Sequence, residues 1–326
     1  MTRFFIRLNF CLLLLLLSAC SEQEIITGSA KITQHYSKQI IKAADISADG
    51  KFSLLSDNQS VCLWNNDTNS KHYPCLNGLD AQLIELLGIS HSNRYFYTSN
   101  RVNVHLYHLA TGRLVTVWSA GDNIINDIAF SKDESTLVFA FRSGQASVAS
   151  IANNQINTYQ IHRLDINSVD ISADGKIAFT GASDKLAKTW LTATGEEISA
   201  LEHQSRVNHV VINDSASTAF SLDAIRERFF WHTNTTKMIA QLESNIRFIE
   251  FNDADFSDNN EYLFTGSPKQ KLQAWHVNSG QLIAQWQAMK LEKRRSSVLS
   301  IQAINKTEIA SITSDGIYQV WQFPLP

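Results

Sequence analysis

Asp45-Ile-Ser-Ala-Asp-Gly-Lys51 recurs without change as Asp170-Ile-Ser-Ala-Asp-Gly-Lys176. A period of about 42 residues fits three times between the two copies, the length of one propeller blade. Ile46-Ser47, Phe130-Ser131, Ile171-Ser172 and Phe256-Ser257 each close a short apolar stretch. Asp49-Gly50 and Asp174-Gly175 then supply hairpin turns. A second stretch ends in small residues, as in Phe179-Thr-Gly-Ala182 and Phe264-Thr-Gly-Ser267. A third carries a large aromatic: Trp64, Tyr107, Trp190, Trp231, Trp275 or Trp321. A fourth follows a polar turn such as Ala193-Thr-Gly-Glu196. Four short strands per unit cannot bury both faces alone, so the units must stack and close a ring. The predicted fold is all-β, a seven-bladed β-propeller of four-stranded antiparallel blades over residues 29–326.

Two features of the repeat predict local structure. Ala149 stands where the third unit should carry its aromatic, and Phe139 and Phe141 are placed to fill the gap. The last unit ends at Trp321-Gln-Phe323, one strand short, while residues 28–36 precede the first unit. The N-terminal strand is therefore expected to join the last blade. Deleting residues 30–36 should then matter more than trimming residues 323–326.

On these residues the chain resembles a WD40 repeat protein from about Ala30 to Phe323. The resemblance implies a buried hydrogen-bonded set of His, Ser or Thr, Asp and Trp inside a blade. His162, Thr180, Asp184 and Trp190 match all four positions in the fourth unit. The fifth keeps His203, Ser221 and Trp231 but has Ile225 at the aspartate place. The sixth has Thr265 and Trp275 with Lys269 there, and the seventh has Ser311, Asp315 and Trp321 without a histidine. Such sets satisfy buried polar groups and lock a blade. A catalytic triad would need a nucleophile at a pocket, which this placement does not offer.

The first residues read as a signal. Arg3 and Arg7 precede an apolar run too short for a membrane span, followed by small residues. Leu17-Ser-Ala-Cys20 resembles a bacterial lipobox, which implies a signal peptide over 1–19, lipid on Cys20 and a tether over 20–28. Ser21 rather than aspartate after that cysteine implies the outer membrane. Loss of Arg3 and Arg7 takes the formal charge from −3 to −5. An acidic body gives no electrostatic case for nucleic acid. Cys62 and Cys75 flank a hairpin turn near Thr68-Asn69, and an exported protein could hold them as a disulfide.

The sequence has no P-loop, HExxH, CxxC pair or EF-hand motif. No catalytic residue, metal or cofactor is assigned. The acids of residues 250–258 read as a solvated loop, the alternative being inward-facing carboxylates at the channel mouth such as hold calcium in propeller hydrolases. Lys290, Lys293, Arg294 and Arg295 form a cationic link between the sixth and seventh units and are the candidate partner-binding loop. The expected function is a non-enzymatic, lipid-anchored scaffold. It would be a monomeric ring on the outer membrane, facing the periplasm and meeting other envelope proteins. The alternative is an envelope enzyme or small-ligand binder that uses the central channel.

Overall fold

The computed structural model describes residues 25–57, 59–77, 83–225, 227–243, 250–291 and 295–323. Seven antiparallel sheets form a ring, with no helix among the described residues. Strand β1 (Ile32–His35) lies beside the last strand of the chain. Blade one holds β2 (Ala43–Ile46), β3 (Phe52–Ser56) and β4 (Ser60–Asn65). Its outer edge is split into β5 (Ser70–Lys71) and β6 (Leu76–Asn77), both paired with β4. Blades two to six follow as β7–β10 (residues 86–119), β11–β14 (125–160), β15–β18 (166–202), β19–β22 (207–241) and β23–β26 (253–287). Blade seven comprises β27 (Val298–Asn305), β28 (Glu308–Thr313) and β29 (Ile317–Gln322), completed by β1 in the order β1-β29-β28-β27. The ring closes as predicted, with Ile32 opposite Val320 and His35 opposite Ile317.

Closure extends beyond β1 in both directions. Tyr36 stacks on Trp64 of blade one at 4.7 Å and donates to Asn66 Oδ1 at 2.6 Å, so it spans the seam between blades seven and one. Upstream, Ile26 forms a parallel bridge to Ala284 of β26, and its side chain packs on the core under blades six and seven. Residues 26–28 therefore lie on the ring, which shortens the tether expected over 20–28. The segment 1–24, including Cys20, lies outside the described residues. At the other end Phe323 is buried against Tyr262, Phe264 and Trp286, so it belongs to the core rather than to a dispensable tail.

The blades are apolar plates that touch face to face. Trp190, Trp231, Trp275 and Trp321 are almost wholly buried, each at the corresponding place in its blade. In blade three Ala149 is also fully buried. Phe139, Phe141 and Trp118 share its cluster, with the rings of Trp118 and Phe139 6.0 Å apart. The missing tryptophan is thus replaced from two directions, by the predicted phenylalanines and by a tryptophan on the outer strand of blade two. Gly181 and Gly266 occupy matching places where blades approach most closely. A Cβ there would come within 2.5 Å of Val207 and Val298 on the next blade.

Candidate functional site

In blade four the buried polar set is complete. His162 Nδ1 meets the Asp184 carboxylate at 3.0 and 3.1 Å, and its Nε2 pairs with Thr180 Oγ1 at 2.9 Å. Trp190 Nε1 donates to the same hydroxyl at 3.2 Å. Asp184 Oδ2 also accepts from the backbone N–H of Arg163, which fixes the link entering the blade. Blade seven keeps half of this arrangement. Trp321 donates to Ser311 at 3.0 Å, and Asp315 accepts from Leu291 N in the link from blade six. Blade six keeps only the Trp275 to Thr265 bond, at 3.1 Å.

Blade five departs from its sequence reading. Ile225 does stand at the aspartate place, but Glu227, two residues on, brings a carboxylate back. Its Oε2 lies 3.2 Å from His203 Nδ1 and accepts from Gln204 N at 2.8 Å. The longer side chain brings a carboxylate beside the imidazole from a neighbouring inward position and, like Asp184, fixes the backbone of the entering link. Alignment on the tryptophan spacing alone could not find it. His203 Nε2 pairs with Ser221 Oγ at 2.8 Å, and burial holds the imidazole pKa down to about 4.

The cationic link is partly described. Lys290 and Arg295 are exposed, whereas Lys293 and Arg294 lie outside the described residues. The link is pinned where it leaves blade six, because Gln319 Oε1 accepts from Met289 N at 2.7 Å and Asp315 accepts from Leu291 N. The backbone on either side of Lys290 is therefore held by blade seven.

The innermost strands surround a channel of about 730 Å³. Its wall carries an aspartate belt that the repeat spells out. Asp45, Asp170 and Asp255 sit two residues before the repeat serine, and Asp127 and Asp253 sit four before it. Each accepts a backbone N–H from the inner strand of the next blade: Asp45 from Ile89, Asp127 from Val169, Asp170 from Ile212, Asp253 from Ile301 and Asp255 from Ala303. Asn126, Asn167 and Asn252 add donors to the carbonyls of Ile166, Val207 and Val298. Burial pushes the carboxyls up against these bonds, to about 6 for Asp45, Asp127 and Asp255, about 7 for Asp170 and about 8 for Asp253. Asp253 and Asp255 thus line the channel, which corrects the reading of that acidic stretch as a solvated loop. The repeated phrase around Asp45 and Asp170 carries the same aspartate at a fixed distance from its serine.

Cys62 and Cys75 are joined by a disulfide, with Cα atoms 4.4 Å apart. Cys75 lies opposite Cys62, next to the Val61–Leu76 pair, so the bridge staples the split outer edge of blade one.

Residues 153–190 match the family model described as WD domain, G-beta repeat. This segment is similar to a WD40 repeat. It begins at the last turn of blade three and ends at Trp190, the tryptophan of the complete buried set. The chain is also similar to jouberin of Rattus norvegicus and of Mus musculus. Each is 25% identical over 186 residues, which is 55% of this chain and 17% of theirs. The chain therefore spans less than a fifth of the length of these relatives.

Proposed function

We propose that this propeller is a lipid-anchored scaffold of a bacterial cell envelope, held through Cys20 and presenting its loops to other envelope proteins. The observation that carries the scaffold reading is the use of the buried His, Ser or Thr and carboxylate groups. In blades four, five and seven they hold the blade or its entering link, which leaves the exposed links as the variable surface. The Cys62–Cys75 disulfide supports export, because such bridges persist in oxidising compartments. Among the described residues no helix is long and apolar enough to cross a membrane. Attachment would rest on the lipid, with Ile26 docking the chain onto the ring shortly after it. Outer-membrane attachment facing the periplasm, a monomeric ring, and an acidic partner for Lys290, Lys293, Arg294 and Arg295 complete the proposal.

Metabolic labelling with a fatty acid tests the anchor. The wild-type protein is expected to take label and sediment with membranes, and Cys20→Ala to lose both. An unlabelled wild type rejects the anchor. Crosslinking in intact envelopes tests the loop, and capture that survives neutralising all four cations rejects its role.

The channel favours a second reading, a binder of small cationic ligands, because five aspartates face about 730 Å³ of space. Their hydrogen bonds to the next blade already give them a structural task, so this reading stands behind the first. Calorimetric titration with spermidine decides it, and absence of heat removes it.

A further inference from the structure

The buried set of blade five carries one carboxylate more than the set of blade four. In blade four the positions two, four and six residues after the hydroxyl are Ala182, Asp184 and Leu186. In blade five they are Asp223, Ile225 and Glu227. The fold asks for one acid at this place, as blade four demonstrates. Blade five has moved it and added another, and Asp223 is only 1% exposed. Its Oδ1 is fixed by the backbone N–H groups of Ile225 and Glu227, at 3.0 and 2.7 Å.

The imidazole between these acids is oriented for something other than a simple hydrogen bond. The His203 side chain is fully buried. Its Nδ1 is 3.2 Å from Glu227 Oε2, yet no hydrogen bond forms along the ring N–H direction. In blade four the equivalent nitrogen does form one, to both oxygens of Asp184. Two ligands each about 2.0–2.1 Å from a tetrahedral zinc ion stand about 3.3 Å apart, with their lone pairs converging on a third point rather than on each other. The His203–Glu227 pair has that separation. The donor atoms of His203, Asp223 and Glu227 all lie within 4.8 Å of one another. Ser221 holds the far side of the ring, because an Nε2–H donating to its Oγ leaves Nδ1 as the free lone pair, as a metal-bound imidazole requires.

We propose that His203, Asp223 and Glu227 form a binding site for one divalent transition ion of the zinc class. One nitrogen and two carboxylate ligands suit such an ion better than calcium or magnesium, which take all-oxygen shells. The site revises the expectation that the chain holds no metal and does not depend on the proposed scaffold role. It lies within a blade, so its effect is to tie the entering link at Gln204 to the hairpin that carries Glu227.

The test is titration of tag-free, chelator-treated full-length protein with zinc chloride, followed by calorimetry. One equivalent is expected to bind the wild type. Glu227→Gln and Asp223→Asn should each weaken binding at least about tenfold, while Asp184→Asn in blade four leaves it unchanged. The absence of stoichiometric binding, or binding that neither variant weakens, overturns the site. If the variants do not fold, X-ray absorption of the zinc-loaded wild type decides instead. A shell of one imidazole with oxygen ligands supports the site, and two or more imidazoles, or sulfur, overturn it.

Discussion

Thr180 concentrates two side-chain hydrogen bonds in one buried hydroxyl. It pairs with His162 Nε2, accepts from Trp190 Nε1 and is completely buried. Thr180→Val keeps the shape and removes the oxygen, so the imidazole and the indole each lose a partner where water cannot replace it. The expected loss is about 2–3 kcal/mol, since an orphaned buried polar group costs about 1–3 kcal/mol. It would be read from the denaturant midpoint, and a loss below half a kcal/mol would show that the set does not lock the blade. At this scale the sequence was legible wherever spacing was conserved between units. His162, Thr180, Asp184 and Trp190 could be placed by counting from the tryptophan. Glu227 could not, because its carboxylate reaches His203 from a different position by using a longer side chain. Asp253 and Asp255 were legible only as an alternative for another reason: a run of acids resembles a solvated loop until the strand pairing turns alternate residues inward.

Among the elements, blade three and β1 test the packing most directly. Ala149 is fully buried in a cluster with Trp118, Phe139 and Phe141, so its tryptophan space is already occupied. Restoring the repeat residue by Ala149→Trp should therefore destabilise the ring by about 1–3 kcal/mol, the usual cost of overpacking. A melting temperature equal to or above the wild type would reveal an unfilled cavity instead. Closure by β1 was legible because blade seven lacked a strand and residues 28–36 lacked a blade. Deleting residues 30–36 removes the β1–β29 pairing and Tyr36 together. Loss of the folded ring is expected, as followed by circular dichroism and protease resistance. Phe323→Ala should cost about 3–5 kcal/mol, as for a buried phenylalanine. The burial of Phe323 could not be read from sequence, because nothing in its spacing from Trp321 indicates that it enters the core.

The whole ring is held at its centre by carboxylates that burial drives toward the neutral form, while two N–H bonds drive them toward the charged one. Asp253 is the strongest case. Its Oδ1 accepts from Ala254 and its Oδ2 from Ile301, yet its pKa stands at about 8. A carboxyl whose folded pKa lies above its unfolded value of about 3.9 holds its proton more readily in the ring than in the unfolded chain. Its contribution is fully present below about pH 4 and is lost as the pH rises through the folded value. For folded values of about 6, 7 and 8 the loss sets in above about pH 4 and runs up to each folded value, so that from pH 6 to pH 8 it continues chiefly through Asp170 and Asp253. The melting temperature should therefore decrease across that window. Asp253→Asn isolates the effect: it surrenders one of the two N–H bonds and so starts lower at pH 6. With no proton to lose, it should decline less steeply toward pH 8. Parallel wild-type and variant curves, or a wild-type melting temperature that rises from pH 6 to pH 8, would mean that channel water solvates these carboxylates well enough to keep them charged. The belt would then be a set of ordinary hydrogen bonds between blades, and the ring's stability would carry no imprint of its channel chemistry.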